Sequence, residues 1–106
     1  IHGDLHPANT LVADRKLAAV IDFGDVGAGD PATDVAAAWM LLPPAAVPVF
    51  ADAYAGLEPA LETRAVGWAV LFGLMLLAIG LDDRPTYAPI GRRTLEHAIA
   101  HSTASQ

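Results

Sequence analysis

From Ala65 to Leu81 the chain runs for seventeen residues without a charged side chain, between Arg64 and Asp82. A segment of that kind is either a helix buried in the core of a domain or a membrane span, which needs ~17–25 residues. Gly67, Gly73 and Gly80 interrupt it, and Asp82 and Asp83 stand where a span would carry basic residues. The reading adopted is a core helix, with no membrane partner. Composition supports a folded chain: 54% of the 106 residues are hydrophobic and 17% charged, unlike a disordered segment. The length suits one domain over residues 1–106 rather than two. Six Lys and Arg against twelve Asp and Glu give a net charge of −6, which argues against a nucleic-acid partner. The absence of cysteine excludes disulfide frameworks, thiolate metal sites and cysteine nucleophiles, and is compatible with a cytoplasmic location. Ile1 begins the sequence with no secretory leader after it, and the chain reads as part of a longer polypeptide.

Two short apolar runs, Thr10 to Ala13 and Leu17 to Ile21, flank the charged stretch Asp14-Arg15-Lys16 and predict a β-hairpin. Residues 22–30 carry three glycines and no helical period, hence a loop. Asp30-Pro31 supplies a helix cap and a first-turn proline for a helix over Ala32 to Leu42. Pro43, Pro44 and Pro48 break the chain, a short helix follows over Val47 to Ala55, a long one from Pro59 to about Gly80, and an amphipathic one over Ile90 to His101. Local strands followed by gathered helices define an α+β class. A lone hairpin is marginal in water, so it is expected to pack on the helices.

The chemistry concentrates in the first 25 residues. His2-Gly3-Asp4-Leu5-His6-Pro7-Ala8-Asn9 fits H-x-D-L-x-x-x-N, and Asp22-Phe23-Gly24 follows. With Arg15 and Lys16 as the two turn residues, the hairpin sets Asn9 opposite Asp22, with Asp4 on the adjoining loop. Two oxygen ligands so placed suit Mg²⁺, which takes few protein carboxylates and completes its shell with water and phosphate oxygens.

These segments resemble the protein-kinase-like phosphotransferases, and more closely the aminoglycoside phosphotransferase family. The matching residues are Ile1 to Val12, Val20 to Asp25, and the helix start Gly29-Asp30-Pro31-Ala32-Thr33-Asp34-Val35-Ala36. The resemblance implies the C-terminal lobe of a kinase-like fold. Residues 1–30 would form the catalytic loop, hairpin and metal loop, and residues 31–106 a part of about four helices. It implies phosphoryl transfer from ATP, or another nucleoside triphosphate, to a small-molecule hydroxyl, as in resistance to aminoglycoside antibiotics. Asp4 would be the catalytic aspartate, and Asn9 and Asp22 the Mg²⁺ ligands. His2 and Asp34 would hold the loop, His6 would sit near phosphate or substrate, and Asp25 would lie outside the metal's ligands.

The family also implies an N-terminal lobe whose lysine grips the nucleotide. No such lysine is present: Lys16 is the sole lysine and falls in the hairpin turn. The expectation is therefore a lobe that needs a missing N-terminal part, or another chain, for activity and is nearly inactive alone. Two rivals stand beside this reading. One is a metal-dependent hydrolase built on His2, Asp4, His6 and Asp22; the other is a non-catalytic binding domain. Gly27 to Ala32 mimics a dinucleotide fingerprint, but no second parallel strand returns after the helix. His97 and His101 are read as an exposed polar face rather than metal ligands. Asp52, Glu58, Glu62, Asp82 and Asp83 would suit a cationic acceptor, or are simply solvated helix faces.

Overall fold

The structure is a computed structural model that describes residues 1–54 and 56–104. The first nine residues form an extended loop ending in a single 3-10 turn, Pro7–Asn9. It leads into an antiparallel hairpin of β1 (Thr10–Ala13) and β2 (Lys16–Val20). The turn is Asp14-Arg15, both with positive φ (53° and 63°), the hand that matches strand twist. Ala13 pairs with Lys16 and Val12 with Leu17; an irregularity then skips Ala18, so that Leu11 pairs with Ala19 and Thr10 with Val20. The expected turn at Arg15 and Lys16 is thus corrected, and with it the register: Ile21 N donates to Asn9 O at 2.9 Å. Asn9 faces Ile21, and Asp22 lies one residue beyond the ladder.

The hairpin does not pack on the helices as expected. Leu11, Val12 and Leu17 are exposed, Val12 at 70%. The backbone ladder and the tight turn hold the strands together, while the helices pack chiefly on one another.

The helix starting after Asp30-Pro31 is two short pieces, α1 (Ala32–Val35) and α2 (Ala37–Leu41). At Ala36 the bonding tightens to a 3-10 step, Trp39 N to Ala36 O at 3.1 Å. Asp30 caps the start, its Oδ1 accepting from Ala32 N at 3.1 Å and its carbonyl from Thr33 N at 3.0 Å. A 3-10 turn at Pro44–Ala46 leads into α3 (Val47–Ala53); Ala55, where that helix was expected to end, lies outside the described residues. Then α4 (Pro59–Asp82) and α5 (Tyr87–Ala104) follow. Pro59 opens α4, where its missing N–H costs nothing. The last helix starts earlier than Ile90 because Pro89 falls within its first turn, where N–H groups have no helical partner.

By length and composition α4 is the one helix among the described residues able to cross a membrane. Here it buries a single stripe, Ala65, Ala69, Gly73, Leu76 and Gly80, at helical spacing. That stripe lies against α1, α2 and α5. The approach to α5 is set by glycines: a Cβ on Gly91 would lie 2.6 Å from Gly73 O and closer still to Leu77 N, and one on Gly80 would collide with Ala88 N. Ala32, Val35, Ala36, Ala38 and Trp39 fill the core against Ala65, Ala69 and Ala98, with Trp39 only 1% exposed. Arg93 Nη2 donates to Met40 O at 3.2 Å, satisfying a carbonyl at the C-terminal end of α2.

Candidate active site

The loop from His2 to Asn9 is held by side chains that bond its backbone. Asp34, in the first turn of α1, accepts from His2 N at 2.7 Å and from Gly3 N at 2.9 Å. His2 is buried, and both of its ring nitrogens are engaged. Nδ1 accepts from Asp4 N at 3.1 Å, which leaves Nε2 protonated to donate to Ile21 O at 2.9 Å. This one ring ties the turn at Asp4 to the end of the hairpin. Phe23 packs edge-on against it at 4.5 Å. Gly3 sits at φ +90°, and a Cβ there would lie 3.0 Å from Asp25 O, so glycine is required both for the turn and for the loop at Asp25 to come near.

Asn9 closes the loop. Its Nδ2 donates to Asp4 O at 2.9 Å and to Asp4 Oδ2 at 3.1 Å. Turning the amide over would set oxygen against oxygen, so the network assigns its orientation. The same nitrogen lies 3.3 Å from His6 Nε2, and with Nδ2 turned to Asp4 and His6, Oδ1 is left as the atom able to meet a cation. His6 stands on the other carboxylate oxygen: Ala8 N donates to Nδ1 at 3.2 Å, so a neutral ring carries its proton on Nε2, 3.5 Å from Asp4 Oδ1. Tyr87 of α5 meets the His6 ring edge-on at 5.9 Å.

Asp22 adopts φ +58°, a conformation short polar residues tolerate, and is exposed. Its Oδ1 accepts from Gly24 N at 3.4 Å, a long local contact that leaves the carboxylate open to a ligand. Asp4, His6 and Asn9 are thus in mutual contact, His2 and Asp34 support them from beneath, and Asp25 lies against Gly3. Asp22 neighbours this cluster through Ile21, which bonds both Asn9 and His2. An amide oxygen and a carboxylate are hard donors of the kind Mg²⁺ takes.

The hydrolase arrangement finds no support, because His2 has no ring nitrogen left for a metal. Among the described residues no group of three or more His, Cys, Asp or Glu is placed to hold one. His101 is also not part of a free polar face: its Nε2 meets Glu62 Oε1 at 2.6 Å across α4 and α5, and its ring lies 5.1 Å from Trp39. Sequence reasoning passed over Tyr87 and Arg93, which no motif marks, whereas Phe23 is the middle residue of Asp22-Phe23-Gly24.

The loop that carries Asp4 stands beside a hairpin and ahead of a helical part, in the order that the resemblance to kinase-like phosphotransferases implied. The model of the phosphotransferase enzyme family (APH) matches residues 1–66, and the chain belongs to that family. The match takes in the loop, hairpin and helices through the start of α4. Comparison with curated proteins gave no significant match, and neither did comparison with solved structures.

Proposed function

We propose that this chain carries the catalytic loop and metal-binding face of a cytoplasmic kinase that phosphorylates a small-molecule hydroxyl. The observation that carries the reading is the clamp on Asp4. Asn9 Nδ2 holds one carboxylate oxygen at 3.1 Å, and His6 Nε2 stands 3.5 Å from the other. A base held in one orientation is what positioning catalysis requires.

In the proposed reaction the acceptor oxygen bonds the γ-phosphorus of a nucleoside triphosphate, with ATP the expected donor. The bond from that phosphorus to the bridging oxygen breaks, and the nucleoside diphosphate leaves. Asp4 takes the proton from the acceptor hydroxyl. Asn9 Oδ1 and the Asp22 carboxylate would hold Mg²⁺, which when bound offsets the charge of the phosphates. His2 and Asp34 keep the loop in place, and Asp25 stays outside the ligand set. A nucleotide-gripping lysine is expected from an N-terminal lobe or another chain. Exposed Leu11, Val12, Leu17, Phe23 and Val26 support a further protein surface on that side.

The test is phosphoryl transfer from Mg·ATP to a panel of hydroxyl compounds by the chain joined to the lobe that supplies the nucleotide-gripping lysine, read as ADP release and phosphoester formation. Asp4→Asn is expected to lower kcat by about 10²–10⁴-fold while nucleotide affinity changes little. Undiminished turnover in that variant would overturn the assignment.

A further inference from the structure

Beside Asp4 lies a cavity of about 240 Å³ whose walls differ from what the acidic sequence leads one to expect. Phe72, Met75, Leu76 and Ile79 of α4 line it with Met40 and Tyr87, opposite a polar edge that includes His6. Its carboxylates are Asp4 and Asp25, and no Lys or Arg lines it. None of Asp52, Glu58, Glu62, Asp82 or Asp83 reaches it. Met75 and Ile79 are 50% and 40% exposed, so α4 presents apolar side chains to solvent where they border this cavity. A larger cleft of about 780 Å³, between α4 and the C-terminal part of α5, shares no residue with the site.

From this wall we infer that the acceptor is a small, predominantly apolar alcohol, alkyl or aryl, and not a polyhydroxylated amino sugar. The inference rests on the assignment of Asp4 proposed above. A cationic amino sugar would lose its hydration against thioether, aliphatic and ring surface with only two carboxylates to compensate, and its other hydroxyls would find few partners. An apolar alcohol buries its body on that surface, at about 25 cal/mol per Å², and keeps its single hydroxyl for Asp4. The volume falls just below the ~300–1,000 Å³ of pockets for drug-sized ligands, which limits the entering part to a small group.

Binding and turnover test the two layers separately. NMR titration of the purified protein with 2-phenylethanol and with glucosamine is expected to show about tenfold tighter binding of 2-phenylethanol, or more. Ile79→Asp, and independently Met75→Gln, should weaken that binding about tenfold. Both replace half-exposed residues, and a thermal melt confirms that each variant folds. Tighter binding of glucosamine, or unchanged affinity in both variants, would overturn the acceptor class. Phosphoester formed on glucosamine and not on 2-phenylethanol would overturn it too, while leaving the role of Asp4 standing. If 2-phenylethanol binds through Ile79 and Met75 yet no hydroxyl compound is phosphorylated when the chain is joined to its nucleotide-gripping lobe, the kinase reading fails and the apolar binding site stands.

Discussion

Asp34 and Gly3, far apart in sequence, meet through a 2.9 Å hydrogen bond from Gly3 N to Asp34 Oδ1, and the other carboxylate oxygen takes His2 N at 2.7 Å. Two successive backbone N–H groups therefore converge on one carboxylate. The first turn of α1 is in this way a fixed platform for the loop that presents Asp4.

Asp34→Ala would leave both donors without a protein partner. Hydrogen bonds to charged groups contribute more than neutral ones, so the loss is expected to be about 2–3 kcal/mol. Urea unfolding should show it as a lower midpoint at unchanged slope. Asp34→Asn keeps one acceptor oxygen and is expected to lose about half as much. Equal stability of all three proteins would mean that the platform is not needed to order the loop.

The crossing of α4 and α5 gives a paired prediction. A Cβ on Gly91 meets the α4 backbone, including Gly73 O at 2.6 Å, so Gly91→Ala must push the helices apart and is expected to cost about 1–3 kcal/mol. A Cβ on Gly67, on the same long helix, meets nothing within 4 Å. Gly67→Ala should stabilise by up to about 1 kcal/mol through helix propensity. Thermal melts of the two variants should move in opposite directions.

The contacts within the candidate site were legible in part because its residues lie close together in sequence. Asp4 and Asn9 are five positions apart and bond directly, and Asp30-Pro31 marks a helix start in any context. The hairpin was legible as a hairpin and not in its register, since Asp14 and Arg15 enter positive φ without the Asn-Gly pair that would signal it. Its exposure was illegible for a different reason: alternation tells which residues share a face, and not whether another element covers that face. The 17-residue uncharged run suggested a core helix, but only the stripe of Ala65, Ala69, Gly73, Leu76 and Gly80 is fully buried, with Val66, Trp68, Val70 and Phe72 half-buried beside it. Tertiary neighbours such as Tyr87 beside His6 leave no local mark.

The contact between Arg64 and Asp30 predicts how stability depends on acid. Arg64 Nε donates to Asp30 Oδ2 at 3.0 Å and Nη2 to Oδ1 at 3.2 Å, joining the start of α4 to the cap of α1. The guanidinium, and next the N–H of Ala32, hold the Asp30 carboxyl below its ordinary value of 3.8. A carboxyl with a depressed folded-state value stabilises the fold above the unfolded value, and that contribution is lost as pH falls through the folded one. Arg64→Met should therefore lower Tm by a constant amount near neutral pH, with the gap closing below about pH 4. The pair is solvent-exposed, so the gap should be small and should shrink in high salt. A difference that grows as the solution is acidified would contradict the assignment.

Asn9 and Asp22 share a proposed role and differ in what else they hold, which makes their substitutions separable. The Asp22 side chain has only the 3.4 Å contact from Gly24 N to give up, whereas Asn9 is buried and fixes both the carbonyl and the carboxylate of Asp4. Asp22→Ala should lower the unfolding free energy by only about 1 kcal/mol, the cost of alanine at the φ of +58° that aspartate tolerates. The Mg²⁺ concentration needed for half-maximal binding of Mg·ATP should rise at least about tenfold, by loss of a charged oxygen ligand. Asn9→Ala should raise that requirement too, and in addition lower the unfolding free energy by about 1–3 kcal/mol as Asp4 loses its clamp. Titration with Mg²⁺, followed by nucleotide fluorescence and a melt on each variant, distinguishes the outcomes. If Asp22→Ala needs no more Mg²⁺ than the parent, the carboxylate is not a ligand, and the loop it belongs to is structural.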